Sequence, residues 1–243
     1  MKYVALALVI GIVFLGIVEL SILGMRISRG RRIAAASMPY EVQRPEATQS
    51  LLIVGDSTGV GTGADTPENS IAGRIASDFT NTTIVNLSSN GAKVRDVCAQ
   101  LQETGGRTFD LVIVHAGAND VLYFSPIKTL RESVAIMLES ARRKADHVIF
   151  LSSGNIGLAP AFFPPINWIY TCRTRKVRRI LMESAAERGI EYVDLFREKG
   201  DDPFSVNPDL FYARDFLHPG SEGYRYWYEE IKKQSSLTKI LGS

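Results

Sequence analysis

Apolar runs of strand length alternate with amphipathic helical stretches from residue 51 towards the C-terminus. The runs predicted to be strands are 51–54, 83–87, 111–115, 147–151 and 190–195. The predicted helices are 70–79, 92–101, 126–144, 171–188 and 222–233. Continuous apolar strands separated by helices are typical of a parallel sheet covered on both faces. The pattern therefore predicts an α/β domain, and ligands in such open sheets bind at the carboxyl ends of the strands.

The first 25 residues have a different pattern, an almost unbroken apolar run. Residues 3–25 contain a single charged side chain, Glu19, and about 20 apolar residues are enough for a helix to cross a bilayer. A cleaved signal peptide is the rival interpretation, but its apolar region is usually about 7–15 residues, with small residues close behind. Here the small residues 34–36 lie beyond Arg26, Arg29, Arg31 and Arg32. We therefore predict an uncleaved transmembrane helix with a basic flank over residues 1–32 and a linker over 33–49.

The same arginines predict an orientation in the membrane. By the positive-inside rule they lie in the cytoplasm, together with the domain behind them. An exported domain stays open as the alternative. The expectation is a single-pass membrane protein whose globular part covers residues 50–243.

Composition and charge narrow the function classes. The chain has 243 residues, of which 45% are hydrophobic and 22% charged, with a net charge of +2. These values exclude a disordered chain and a disulfide scaffold, and they offer no basic footprint for nucleic acid. Three histidines and two cysteines lack the spacing of metal ligands. We expect no metal and no nucleic-acid partner, while the pairing of Cys98 with Cys172 and the oligomeric state stay open.

A glycine-rich turn over residues 55–64 follows the first predicted strand and has three interpretations. A dinucleotide fingerprint begins at Gly59, but Pro67 delays the helix that should follow, and no acid ends the second strand. The G-x-S-x-G elbow of α/β-hydrolases also fits, but that elbow follows several earlier strands, which this chain lacks. The third interpretation takes Gly55-Asp56-Ser57 as the turn that carries a nucleophile.

Three further blocks favour this third interpretation. They are residues 86–91, Gly117-Ala118-Asn119-Asp120 and Asp215-Phe216-Leu217-His218. Each block alone is more often structural than functional. Together with the Gly55-Asp56-Ser57 turn they make four blocks, and the first three of these follow the first three predicted strands. With these blocks the chain resembles the SGNH/GDSL hydrolase family over about residues 51–233, with Thr58 in place of the usual Leu after the serine.

The resemblance implies a fold and a set of roles. The fold would be a three-layer α/β/α domain with a flavodoxin-like, five-stranded parallel sheet. Ser57 would be the nucleophile, His218 the base and Asp215 its orienting acid, with no cofactor. The backbone N–H groups of Ser57 and Gly91 and the side-chain amide of Asn119 would form the oxyanion hole.

The residues themselves select the same histidine. A serine hydroxyl needs an adjacent base, and the pKa of histidine suits that task. His115 ends an apolar strand and is expected in the core, and His147 opens the fourth strand. Only His218 has a carboxylate three residues away, and Asp56 is expected to cap its own turn.

An aromatic, proline-rich segment, residues 159–170, follows the fourth strand. A packed loop is one interpretation, and an apolar wall for an acyl chain, formed by Phe162, Phe163 and Trp168, is the other. We therefore expect a serine esterase or acylhydrolase that cleaves lipid-like or small acyl esters. A carbohydrate O-acetylesterase, a thioesterase and a catalytically silent binding module are the alternatives.

Overall fold

The computed structural model describes residues 2–242, leaving out the side chains at positions 2, 4–13, 15, 17, 20 and 23. At its centre is a five-stranded parallel sheet in the order β2-β1-β3-β4-β5. Its strands are β1 Gln49–Gly55, β2 Thr82–Asn86, β3 Phe109–His115, β4 Ala145–Leu151 and β5 Glu191–Val193. This is the strand order of flavodoxin-like folds. The predicted α/β fold with five parallel strands is therefore confirmed.

Helices connect the strands and flank the sheet. The long ones are α1 Lys2–Ala36, α3 Ile71–Asp78, α4 Val94–Glu103, α6 Ile127–Arg142, α7 Ile166–Ala186 and α10 Ser221–Gln234. The short ones are α2 Ser57–Val60, α5 Ala118–Leu122, α8 Pro203–Val206, α9 Pro208–Phe211 and α11 Leu237–Leu241. Ser70 caps α3 by accepting a hydrogen bond from the backbone N–H of Gly73 at 3.1 Å.

The sheet separates two apolar cores because neighbouring strand residues point to opposite faces. On one face, Leu52 and Val54 of β1 pack in the cluster that also contains the inner sides of α4, α6 and α7. On the other face, Leu51 and Ile53 pack with α3, α10 and α11. Since both faces of β1 are buried, its sequence is continuously apolar rather than alternating.

The parallel register brings three strand ends to one edge of the sheet. Gly55 at the end of β1 lies opposite His115 at the end of β3, and Asn86 at the end of β2 lies opposite Ile53 of β1. The turns that follow β1, β2 and β3 are therefore neighbours in space. This edge is where the sequence predicts the chemistry.

The N-terminal part differs from the prediction. In the described part of the chain, no helix has both the length and the apolar character that crossing a membrane requires. The transmembrane helix predicted over residues 3–25 is therefore not supported, and most of the side chains on which it rests lie outside the described ones. Helix α1 also continues to Ala36 and so includes the start of the predicted linker. Residues 34–36 are alanines, the strongest helix formers, which explains this extension.

The rest of the predicted linker is attached to the domain. Val42 forms an isolated antiparallel bridge with Ile84 of β2. The Arg44 guanidinium donates hydrogen bonds to the carbonyl oxygens of Ala76 and Phe79, at 2.8 and 2.9 Å. Residues 42–44 therefore extend the packing at the β2 edge. The two cysteines, whose pairing the sequence leaves open, are free thiols.

Candidate active site

The turn after β1 holds Ser57 in a fixed position. The buried side chain of Gln100 accepts a hydrogen bond from the N–H of Gly55 at 2.7 Å and donates one to its carbonyl oxygen at 2.9 Å. Asp56 caps α2 by accepting from the N–H of Thr58 at 2.9 Å, the role expected from the sequence. Ser57 is the first residue of α2, so its side chain stands at the carboxyl edge of the sheet.

Asp56 is fully buried, and its electrostatics follow from that burial. Desolvation raises the pKa of Asp56 to about 6, although hydrogen bonds from Thr58 and the charge of His218 act in the opposite direction. No hydrogen bond joins Asp56 to His218 in the described structure. Asp56 therefore supports the turn, and a different carboxylate orients the histidine.

Three side chains from the two ends of the domain form one line of hydrogen bonds. The Ser57 Oγ lies 3.1 Å from Nε2 of His218. The Nδ1 of His218 lies 2.6 Å from Oδ2 of Asp215. The other oxygen of Asp215 accepts from the backbone N–H groups of Leu217 and His218, at 3.0 and 3.1 Å. The arrangement matches the order of nucleophile, base and orienting acid that the resemblance implies.

Asp215 is ionised in this arrangement. Its residue is 2% exposed, and burial alone would raise the pKa of its carboxyl. The hydrogen bond and charge of His218, together with the N–H groups of Leu217 and His218, outweigh burial and lower the pKa of Asp215. A negative charge thus faces the imidazole in a place from which water is excluded.

The other two histidines lie elsewhere, as the sequence analysis expects. His115 is buried at the end of β3, where its ring centroid lies 5.7 Å from that of Trp227. Burial lowers the pKa of His115 to about 3, so it is neutral at physiological pH. His147 is exposed near the start of β4, at the opposite edge of the sheet.

Two of the predicted oxyanion donors stand beside Ser57. Gly91 and Asn119 line the same cavity as Ser57 and His218. Gly91 has φ of +81°, a conformation that favours glycine, and a Cβ there would meet nothing within 4 Å. One amide hydrogen of Asn119 is used by the carbonyl oxygen of Ala92, at 3.0 Å. A side-chain amide has two such hydrogens, so Asn119 keeps a second donor.

A cavity of about 570 Å³ opens from Ser57. Its lining is mainly apolar, and the aliphatic and aromatic lining residues include Leu122, Ile156, Phe162, Tyr170, Leu195 and Trp227. Its lining also contains Arg26, Arg31, Asp202, Asp215 and the imidazole of His218. An apolar cleft with a few polar groups at one end is typical of a site for a small, partly apolar ligand.

The structure places the three predicted substrate residues differently from one another. Phe162 lines the cavity, and its ring centroid lies 4.4 Å from that of Tyr170. Phe163 and Trp168 are not among the lining residues. Phe163 lies under the guanidinium of Arg26 instead, at 5.0 Å. Trp168 is 65% exposed because α7 begins at Ile166, earlier than predicted, and the helical turn directs this side chain outward.

Sequence reasoning missed two parts of the site. One is the inner wall formed by Leu195, Phe204 and Trp227, which follows β5 and includes α10. The rule that places ligands at carboxyl strand ends, applied to β5, would have identified it. The other is the C-terminal part of α1, which no signal in the sequence assigns to the site.

Comparisons with known proteins agree with this geometry. The model of the GDSL-like lipase/acylhydrolase family matches residues 53–226. A search of curated proteins finds no match.

Among solved structures, a lipolytic protein of the G-D-S-L family from Veillonella parvula is 18% identical, with 76% of this chain and 96% of that one covered and a TM-score of 0.59. A lipase/acylhydrolase from Enterococcus faecalis is 20% identical, with 80% and 96% covered and a TM-score of 0.57. The structure of TesA is 21% identical, with 79% and 99% covered and a TM-score of 0.58. At these identities the solved structures establish the likeness of fold. The family model covers more than half of the 243 residues, and the chain therefore belongs to the GDSL-like lipase/acylhydrolase family.

Proposed function

We propose that this protein is a serine esterase that cleaves carboxylic esters through an acyl-serine intermediate. The observation that carries the proposal is the 3.1 Å contact between Ser57 Oγ and His218 Nε2, both of which line an apolar cavity. Family membership supports hydrolysis, and the geometry supports serine as the nucleophile. An acyl chain would occupy the apolar part of the cavity, with the ester carbonyl carbon next to Ser57.

The reaction follows from the hydrogen bonds around His218. Nε2 takes the proton of Ser57 as Oγ bonds to the acyl carbon, and it returns that proton to the alcohol oxygen when the ester C–O bond breaks. In the second step, Nε2 of His218 takes a proton from water as the water oxygen bonds to the acyl carbon. The proton returns to Ser57 Oγ when the acyl-serine bond breaks, and the carboxylic acid is released. Asp215 stays ionised throughout and stabilises the imidazolium that forms twice in each cycle.

Charge on the carbonyl oxygen needs its own donors. In this proposal the N–H groups of Ser57 and Gly91 and the amide of Asn119 receive the oxyanion. Such donors are effective because they are fixed before the reaction and are aimed at charge that appears only in the transition state. The Asn119 amide meets this condition, since its residue is 6% exposed and its other hydrogen bond goes to the backbone of Ala92.

The lining of the cavity favours acyl esters with an apolar chain over acetylated carbohydrates. The aromatic residues Phe162, Tyr170 and Trp227 line the cavity. Burying an acyl chain against them would favour binding by about 0.8 kcal/mol for each methylene group removed from water. An acetyl group would leave most of this surface in contact with water. A thioester of the same acyl chain would use the same nucleophile and stays the nearest alternative.

The test compares Ser57→Ala with Ser153→Ala, a serine that lines the same cavity. We expect the wild type and S153A to hydrolyse p-nitrophenyl esters, with kcat/KM rising from acetate to octanoate, and S57A to lose turnover. Thioesters of the same acids and acetylated sugars, assayed in parallel, rank the substrate classes. Undiminished turnover by S57A would refute the proposal.

A silent binding module has its own signature in the same experiment. A fluorophosphonate reagent should label the wild type and S153A and should leave S57A unlabelled. A wild-type protein that neither turns over any ester nor takes the label would favour the silent module.

The membrane location stays a prediction from the apolar run of residues 3–25. Fractionation of cells that express the full chain, followed by protease treatment of intact and opened cells, tests both attachment and orientation. Recovery of the protein in the soluble fraction would contradict it.

A further inference from the structure

One wall of the catalytic cavity comes from outside the segment that the family model matches. That segment begins at residue 53, whereas Ile27, Gly30, Arg31 and Ala34 of α1 line the cavity together with Ser57. These α1 residues are spaced by three or four positions, which places them on one face of the helix. The last turns of α1 therefore complete the site.

Close contacts hold this part of α1 against the catalytic loop. A Cβ at Gly30 would lie 3.2 Å from Oδ2 of Asp215, so a residue without a side chain allows the helix to cover the catalytic acid. The amide of Asn90 donates to the carbonyl oxygen of Ala34 at 2.9 Å. The Arg29 guanidinium donates to the carbonyl oxygen of Arg214, also at 2.9 Å.

This wall adds positive charge at the cavity. Arg26 and Arg31 both line it, and the ion pairs of the described side chains include neither residue. Arg26 donates to the carbonyl oxygen of Pro160 and lies over an aromatic ring. Arg31 is exposed, and the described structure gives it no hydrogen bond.

The two carboxylates that line the cavity have partners other than these arginines. Asp215 is paired with His218. Asp202 is buried and accepts from the N–H of Phe204 at 2.9 Å, and burial raises the pKa of Asp202 to about 6. The Arg31 guanidinium, to which the described structure gives no hydrogen bond, thus borders an apolar cavity that Ser57 also lines.

We propose that Arg31 binds an anionic group of the substrate, with Arg26 adding positive charge to the same lining, so that the enzyme selects acyl esters carrying a phosphate or carboxylate near the ester. This inference rests on the proposed esterase function. A guanidinium binds either anion through paired, charge-assisted hydrogen bonds, and the acyl chain would extend along the aromatic lining. Arg31 is then a specificity residue supplied by α1.

The experiment uses the full chain and three esters that differ in one substituent. They are 1-octanoylglycerol, its 3-phosphate and octanoylglycerate. The wild type should show a higher kcat/KM for an anionic ester than for the neutral one, and the difference should come from a lower KM. Arg31→Ala should reduce the ratio of anionic to neutral kcat/KM about tenfold, the effect of losing charge-assisted hydrogen bonding. Arg31→Lys should keep most of the ratio, and Arg31→Glu should reverse it.

Arg32→Ala is the matched control. Arg32 is the next residue on α1, is exposed and is not among the lining residues, so R32A removes an equal charge away from the cavity. Its ratio should equal that of the wild type. The proposal would be overturned if R31A and R32A lowered the ratio of anionic to neutral kcat/KM equally, or if neither R31A nor R31E lowered it. In either case, hydrolysis of 1-octanoylglycerol that depends on Ser57 would still support the esterase function. A wild type that hydrolyses none of the three esters would overturn both.

Discussion

Replacing Asp215 by Asn tests the geometry of the site most directly, because it changes chemistry while keeping shape. The oxygen of Asn can still accept from the N–H groups of Leu217 and His218, so the loop keeps its backbone hydrogen bonds. The amide nitrogen then faces Nδ1 of His218, where Oδ2 lies 2.6 Å away in the wild type. A donor in that place favours the tautomer with its proton on Nε2. That proton points at Ser57 and blocks Nε2 from acting as a base.

The size of the effect can be worked out from the same contact. Asp215 is 2% exposed, so its charge is little screened by water. Two unit charges about 4 Å apart interact by about 4 kcal/mol at an effective dielectric constant of about 20. Losing this stabilisation of the imidazolium corresponds to about a thousandfold in rate. The wrong tautomer adds to the loss, and we expect kcat to fall about ten-thousandfold.

The assay is hydrolysis of p-nitrophenyl butyrate under saturating conditions, with thermal unfolding to verify that the variant is folded. Asp202→Asn is the matched control, since Asp202 lines the same cavity but hydrogen-bonds to the N–H of Phe204 instead of a histidine. D202N should keep kcat within a few-fold of the wild type. A folded D215N whose kcat stays within about tenfold of the wild type would refute the assignment of Asp215 to His218.

Two further predictions concern an oxyanion donor and a buried carboxyl. Asn119→Ala should lower kcat by about a hundredfold to a thousandfold with little change in KM, because the amide stabilises charge that is present only in the transition state. An unchanged kcat would contradict the assignment of Asn119 as an oxyanion donor. Burial raises the pKa of Asp202 to about 6 in the folded state from an ordinary value of 3.8, so this carboxyl stays protonated to a higher pH when the protein is folded. Its contribution to stability is therefore present below about pH 4 and is lost as pH rises to about 6. The free energy of unfolding of D202N minus that of the wild type should then increase by about 2 kcal/mol between pH 4 and pH 7. Denaturant titrations at both pH values measure it, and a constant difference would contradict the shifted pKa.

The five strands were predictable because strands inside a covered sheet have continuous apolar sequences, which can be recognised locally. Each strand is a short apolar run, and the observed ends differ from the predicted ones by at most two residues, with β1 longer at Gln49–Gly55 and β5 shorter at Glu191–Val193. The short helices α8 and α9 had no such trace. Each has only four residues and begins with proline, and their packing comes from rings such as Phe204 against Trp227, 5.5 Å apart.

The site divides in the same way between local and distant information. Asp215 and His218 are three residues apart, so their pairing follows from spacing, and the cap formed by Asp56 follows from its place before α2. The contact of His218 with Ser57 joins residues 161 positions apart. The order of the motifs implies that contact only through resemblance to a family. The mistaken expectation for Trp168 has a local cause, since the start of α7 decides whether its side chain faces the cavity or solvent.

The contribution of α1 shows why part of an active site can be invisible to motif reasoning. A motif identifies residues whose chemistry is unusual, whereas Gly30 contributes by being small enough to let a helix approach Asp215. From the sequence, basic residues after an apolar run are interpreted as a membrane flank, so their context gives no reason to place them at the cavity. The two predicted roles of these arginines place different requirements on the sequence. A membrane flank needs net positive charge within a few helical turns, whereas an anion site needs one guanidinium at one position. Position-specific loss at Arg31, with none at Arg32, therefore separates recognition of substrate from attraction to a surface.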